Sequence, residues 1–555
     1  MNKINHNYVQ ITRHCNQECV FCSNPIIDKE IGINEFIQVA RKIKESGGSD
    51  IFLTGGEPTL HPKLIELIRL CDKMKLAPRL ITNGQLLADK IFALELSKTN
   101  LVSINLSAYS HIEQVHNQIT GEKNSYKHLL MAIDNLKLFK IPIILNVVIS
   151  SYNCVHLYDM INFFLGYRLF DHFCLNYIDT TSGRAKGKEA PAYASFEIEL
   201  HKTLRLLREK NKTFRIERIP LCYLDSFEEF STETRKIVKK ELHNIKYLNR
   251  HEMDSYSIEA TKSPQSCVAC SLRDICAGPY CQEVQDRNEV YPLFIDPIKI
   301  IMSIKEDNTK IYLLNYDSAQ KYFLDHNEID PNTNIEKGKM GCDLFYIFKK
   351  FKNDYSGVDF IKLDDIRVDK SAFQIFMGGE HTLTHHIINK YQEEYKDFLI
   401  VIFDAHLDYF SNEGGLGRAT WMNRLKNPKN IIHIGGHLTE HYINEARQLI
   451  KNGAKFFPIK DGNLCRFDGI NFEPISITEI GQHLEMKNVY LSVDIDAFKF
   501  TYGLYEKDAL CLEPSIISDI KFDKSQIIGC DIMEIASVKG IYAIKDIMKR
   551  MLLLR

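Results

Sequence analysis

Three groups of residues along the chain have types and spacings that can do chemistry. The first is Cys15, Cys19 and Cys22, in the run Cys-Asn-Gln-Glu-Cys-Val-Phe-Cys. Three thiolates on one loop can hold three irons of a [4Fe–4S] cluster and leave the fourth iron open. A structural zinc site would want a fourth protein ligand, and none lies close by in sequence. The second group is Cys267, Cys270, Cys276 and Cys281, with Cys222 upstream in Ile219-Pro220-Leu221-Cys222. Closely spaced thiols in a reducing compartment read as metal ligands rather than disulfides, and this spacing alone permits a four-cysteine zinc knot.

The third group is spread over three short motifs: Gly378-Gly379-Glu380-His381, Asp404-Ala405-His406-Leu407-Asp408 and Ser492-Val493-Asp494-Ile495-Asp496. Alternate residues of an extended segment point the same way, so Asp404, His406 and Asp408 can converge, as can Asp494 and Asp496. Four carboxylates and two imidazoles crowded together would repel without cations. Their oxygen-rich donor set suits a pair of Mn²⁺-like ions.

These motifs need elements to position them. From about residue 8 to 180 short apolar runs alternate with amphipathic segments. Strands are predicted at Tyr8–Thr12, Asp50–Thr54, Pro78–Thr82, Leu101–Ser107, Ile141–Ser150 and Phe173–Ile178, with helices such as Ile33–Ser46 and Lys63–Met74 between them. Repeated strand–helix units imply parallel strands covered by helices, with the chemistry on loops at the strands' C-terminal ends. Residues 215–302 break this rhythm: a long charged helix is predicted over Glu228–His251, ahead of the second cysteine group, in a small metal-stapled module. Alternation resumes with strands at Ile311–Leu314, Phe373–Met377, Phe398–Phe403, Ile431–Ile434, Val489–Val493 and Ile527–Ile532. The third group's carboxylates each follow such a run and so emerge at a sheet's C-terminal edge. The expected domains are 1–214, 215–302 and 303–555, with the linker in Ser303–Lys310.

Bulk properties narrow the function classes. A chain of 555 residues is too long for one core, and 45% apolar with 26% charged residues is an ordinary globular balance. A formal net charge of −2 gives no case for nucleic acid or an anionic membrane. No stretch is long and apolar enough to span a bilayer, and the first residues lack the apolar core of a secretion signal, so the expected location is cytoplasmic.

The first cysteine group resembles the radical S-adenosylmethionine (SAM) superfamily over roughly residues 8–190. Gly55-Gly56-Glu57-Pro58 follows the second strand, where that family carries a segment contacting the SAM amino group, and Phe21 precedes the third cysteine as in the family. Thr82-Asn83-Gly84 closes the third strand, and Ser107 and Asn146 lie where SAM-contacting polar residues are found. Leu-Ser-Ala-Tyr at 106–109 departs from the commoner form, which has an aspartate after the serine. The resemblance implies a partial (β/α)6 barrel, a SAM-bound [4Fe–4S] cluster generating a 5′-deoxyadenosyl radical, and an electron donor such as flavodoxin or ferredoxin. The second cysteine group resembles the SPASM or twitch extension of peptide-modifying radical SAM enzymes. That implies one auxiliary [4Fe–4S] cluster on Cys222, Cys267, Cys270 and Cys276, with Cys281 an alternative ligand.

The third group, in its order over about residues 308–555, resembles the arginase (ureohydrolase) family. The resemblance implies a doubly wound α/β domain and a binuclear manganese centre on His381, Asp404, His406, Asp408, Asp494 and Asp496. Glu534, in Gly529-Cys530-Asp531-Ile532-Met533-Glu534, matches the glutamate that grips the substrate guanidinium, and Asp408 and Glu534 are the expected catalytic residues. The loop Gly414–Met422 contains no histidine, and the third motif continues as Ala497-Phe498-Lys499, so the family's grip on a free amino acid's backbone is not carried over. Together the halves suggest a maturase acting on an arginine-containing ribosomal peptide. The alternatives are an enzyme of free arginine or another guanidino metabolite, and a non-hydrolytic guanidino-binding module beside the radical site.

Overall fold

The computed structural model describes residues 5–24, 27–187, 190–260, 267–279, 289–305, 309–314, 349–355, 357–379, 381–407, 409, 421–425, 428–437, 442–460, 463–484, 488–498, 512–520, 526–533, 535 and 541–554. They form two compact units, Met1–Ile300 and Ile301–Arg555. Among the described residues no helix is long and apolar enough to cross a membrane.

The first unit is built on nine strands: β1 (Asn5–Thr12), β2 (Asp50–Gly55), β3 (Ala77–Thr82), β4 (Ser103–Ser107), β5 (Ile143–Ile149), β6 (Phe170–Tyr177), β7 (Thr213–Glu217), β8 (Leu242–Lys246) and β9 (Met253–Ser257). Their order in the sheet is β7-β6-β5-β4-β3-β2-β1-β8-β9, and only the β8–β9 pair is antiparallel. Because β1 to β6 are parallel and neighbours in sequence order, the loops leaving their C-terminal ends share one edge. Alternation sets the layers. In β2, Ile51 and Leu53 are fully buried while their sequence neighbours are not. The helix Ile33–Glu45 buries Phe36, Val39, Ala40 and Ile43, the spacing of one helical face. Each such large side chain contributes roughly 1.5–3 kcal/mol on burial.

The charged helix predicted over Glu228–His251 is not formed as such. A helix spans only Thr232–Lys239, Lys240 takes a left-handed φ of 51°, and the chain then enters β8 alongside β1. Pairing of Asn5–Val9 with Leu242–Lys246 satisfies backbone groups that a longer helix would have used internally, so tertiary pairing overrides the local pattern. The charges are paired as well. Glu241 lies 3.6 Å from His6 Nε2 and 3.5 Å from Arg235 Nε, and His6 Nδ1 lies 3.5 Å from Asp50.

The second unit carries β10 (Thr309–Leu314), β11 (Val358–Ile361), β12 (Phe373–Met377), β13 (Leu399–Phe403), β14 (Ile431–His437), β15 (Lys455–Lys460), β16 (Asn463–Phe467), β17 (Phe472–Pro474), β18 (Asn488–Asp494) and β19 (Gln526–Met533). Their order is β11-β10-β12-β19-β18-β13-β14-β15-β16-β17, parallel from β11 to β15 and antiparallel beyond. Every residue of β12 and β13 is buried, as expected of strands covered on both faces. On one face Phe376, Ile400, Ile402 and Tyr490 pack with Ile387, Ile388 and Tyr391 of the helix Leu383–Glu394. The segment expected as a linker is partly ordered into other elements: Ser303 lies in the helix Pro297–Lys305, and Thr309 opens β10.

Candidate active sites

The loop carrying Cys15, Cys19 and Cys22 leaves β1 and is held against the turn that leaves β2. Gly56 N donates to Thr12 O and Glu57 N to His14 O, each at 2.7 Å. A Cβ on Gly55 would stand 2.0 Å from Thr12 O, and one on Gly56 would stand 2.2 Å from His14 O. Gly55 also has φ +145°, so this approach requires glycine. On another side, Glu18 N and Val20 N donate to Thr120 O and Ile119 O at the end of helix Glu113–Thr120. Cys19 packs with Tyr109 and Ile119, and Phe21 meets the Tyr109 ring edge-on at 4.8 Å. Burial first, then the neighbouring Cys22 and Cys15, push the Cys19 thiol up to about 12. It is therefore a thiol until a metal draws off the proton.

The Glu57 carboxylate is committed to the protein. Oε1 accepts from Thr59 N at 3.0 Å, and from Thr59 Oγ1 and Thr82 Oγ1 at 2.6 Å each, while Oε2 accepts from Asn83 N at 2.7 Å. It staples the end of β2 to the end of β3, so a SAM amino group at this turn would meet main chain. Ser107 and Asn146 are register partners on β4 and β5, and Asn146 Oδ1 accepts from Asn176 Nδ2 at 2.7 Å.

Cys222, Cys267, Cys270 and Cys276 line one cavity with Pro220 and Tyr291. Leu293 N donates to Cys270 Sγ and Gly278 N to Cys276 Sγ, both at 3.3 Å, and the Tyr291 hydroxyl donates to the Cys222 carbonyl. Burial pushes the Cys222 thiol up to about 12 and raises Cys276 as well. Sulfurs gathered in one cavity with N–H donors on them suit a thiolate-bound cluster. Cys281 lies outside the described residues.

In the second unit His381 sits between β12 and the helix Leu383–Glu394, Asp404 directly follows β13, and Asp494 ends β18. With β13 and β18 paired and only β19 between β18 and β12, the three side chains meet in the interior, at 1%, 0% and 3% exposure. His381 Nδ1 lies 2.9 Å from Asp404 Oδ2 and 3.3 Å from Asp494 Oδ2. Asp404 Oδ1 accepts from His406 N at 2.7 Å, so its buried Oδ2 is the oxygen left to face the His381 ring. Burial opposes charging His381, but the two carboxylates outweigh it and hold the imidazolium well above the usual histidine range. Two buried carboxylate oxygens facing one ring nitrogen fit a shared divalent cation in place of the ring proton. His406 is half-buried, its Nδ1 3.9 Å from Asp404 Oδ1. Asp408 and Glu534 lie outside the described residues, as does the Asp496 side chain; the Asp496 backbone forms the turn Ile495–Ala497.

Behind these groups lies a polar layer that the motifs do not announce. Asp531, fully buried on β19, accepts from Ser492 Oγ at 2.8 Å, Thr384 Oγ1 at 3.1 Å and the Tyr490 hydroxyl at 2.9 Å. Its pKa rises to about 6 through burial, opposed by His381 and the three hydroxyls. With the Ser492 hydrogen turned to Asp531, Ser492 can only accept from His381 Nε2, 3.1 Å away. This leaves Nδ1 to face the carboxylates. His433, held neutral by burial at about 4, sits with Nε2 3.0 Å from the His406 carbonyl and braces the second motif. The Trp421 ring stands 4.8 Å from that of His381. The available sequence signal for Asp531 is a carboxylate inside an otherwise apolar strand; Arg184, which touches the first cysteine loop, has none.

Residues 9–164 match the radical SAM superfamily model and residues 365–541 the arginase family model. A PqqA peptide cyclase from Bradyrhizobium diazoefficiens is 28% identical over 157 residues, which is 28% of this chain and 41% of the cyclase. Among solved structures, Streptococcus suis SuiB bound to precursor peptide SuiA is similar at 17% identity and TM-score 0.34, over 39% of this chain and 49% of SuiB. SuiB bound to S-adenosylmethionine is similar at 16% identity and TM-score 0.39, over 52% of this chain and 76% of SuiB. The chain therefore carries a radical SAM domain followed by an arginase-family domain.

Proposed function

We propose that this protein modifies an arginine-containing peptide twice: by radical chemistry in its first half, and by hydrolysis of an arginine side chain to ornithine and urea in its second. The observation that carries the hydrolytic half is the meeting of His381, Asp404 and Asp494 in the interior, with two carboxylate oxygens facing one ring nitrogen. His381, Asp404, His406, Asp408, Asp494 and Asp496 would hold two Mn²⁺ ions, which would supply a hydroxide at neutral pH by lowering the pKa of bound water. The residues do the rest. Ser492 and Asp531 orient His381, Glu534 pairs with the planar guanidinium, and Asp408 would take the proton of the attacking water and pass it to the amine nitrogen that leaves as the carbon–nitrogen bond breaks. Cys15, Cys19 and Cys22 would hold the SAM-binding [4Fe–4S] cluster, which supplies the hydrogen-abstracting radical, and Cys222, Cys267, Cys270 and Cys276 an auxiliary cluster. Peptide as the substrate class is supported by the cyclase relative and by the loop that lacks the family's histidine.

The test is urea release by manganese-loaded protein, with free L-arginine set against arginine-containing peptides. Urea from peptides alone is the expected result. Urea from free arginine alone would move the second half to small-molecule metabolism, and two bound metals with no urea from either would refute arginine as its substrate.

A further inference from the structure

A turn outside every motif closes over the first cysteine loop. Beyond β6 the chain passes Asp179, whose Oδ1 accepts from Thr181 N at 2.9 Å, and enters a short turn at Gly183–Ala185. There Arg184 N donates to Cys22 O and Arg184 Nε donates to Cys19 O, each at 2.9 Å. Gly183 has φ +64°, and a Cβ on it would stand 2.2 Å from Cys22 O and 2.4 Å from Ser23 Cα. The turn is therefore seated directly on the loop, and only glycine lets it approach so closely. One half-buried arginine thus ties together the carbonyls of two of the three cysteines, Cys22 through its main-chain N–H and Cys19 through its guanidinium.

We propose that Arg184 is a positioning residue for the cluster on Cys15, Cys19 and Cys22, and that its fixed charge makes that cluster easier to reduce. The inference rests on the reading of these cysteines as cluster ligands. The charge–assisted bond at Nε fixes the guanidinium beside the loop, and arginine keeps its charge at any working pH. Reduction adds one negative charge to a cluster already bound by three thiolates. A nearby cation stabilises that charge more than the oxidised state and so raises the reduction potential. Burial drives the thiols of Cys15 and Cys19 up, and Arg184 opposes the rise at both, in keeping with a cation close to their sulfurs.

The experiment is a redox titration of the anaerobically reconstituted full chain, followed by electron paramagnetic resonance, using the signal that changes when SAM is added. Arg184→Met should shift that signal to a more negative potential, and Arg184→Lys should reverse much of that shift. Should the methionine variant lose its cluster, Arg184→Gln takes its place: a lysine variant that reduces more readily than the glutamine variant supports the inference, and equal potentials overturn it. Unshifted potentials with weakened SAM binding would overturn it in favour of a direct SAM contact. A wild-type protein with no SAM-sensitive signal would sink the cluster reading itself, and this inference with it.

Discussion

A buried carboxylate that accepts three hydroxyl hydrogen bonds is costly to place and costly to disturb, so its partners are fixed by it rather than the reverse. Asp531 is such a group. By claiming the Ser492 hydrogen it obliges His381 to donate from Nε2, and so turns Nδ1 toward Asp404 and Asp494. Asp531→Asn keeps the size but puts an amide donor against hydroxyls that also need to donate. On the general scale for groups behind metal ligands, it should weaken Mn²⁺ binding by about 10–100-fold. The chain's one tryptophan is Trp421, beside His381, so its fluorescence reports the titration directly. Unchanged affinity in a folded Asp531→Asn protein would show that the ring orientation is set elsewhere.

At the scale of elements, β8 is held to β1 by side chains as well as by backbone pairing. His6 is pushed up from 6.5 to about 9, by Asp50 first and then Glu241, against the opposing effect of burial. Burial alone would raise Glu241, but His6 and Arg235 bring it below its ordinary value. A histidine raised in the folded state contributes stability that is whole below its unfolded value and is lost as pH rises through the folded one. The first unit should thus lose stability between pH 6.5 and about 9. His6→Gln should flatten that loss, as read by thermal unfolding and by hydrogen exchange at Leu242–Lys246. Equal slopes for the two proteins would contradict the assignment. The same region shows where sequence reading ran out. The buried strands β12, β13 and β18 are legible because apolar runs of strand length bounded by polar motifs admit few alternatives. The run Glu228–His251 offers helical spacing and charge, and nothing local reveals that Leu242–Lys246 will pair with a strand near the chain's start. Arg184 is hidden for the same reason, since Cys19 is 165 residues away. Asp531 stands in the sequence only as context for Glu534.

At the scale of the whole molecule, the candidate cluster sites and the candidate metal centre draw their ligands from separate compact units. The cysteines of the two candidate cluster sites lie in the first unit, and His381, Asp404 and Asp494 in the second. The hydrolytic half should therefore keep working when the radical half is disabled. The central claim, hydrolysis of arginine within a peptide, is tested most directly by mass spectrometry of an arginine-containing peptide incubated with manganese-loaded Cys19→Ala protein. The account predicts ornithine at the arginine position, matched by released urea, with no radical modification of the peptide. An unaltered peptide, with urea appearing only when free arginine is supplied, would contradict it.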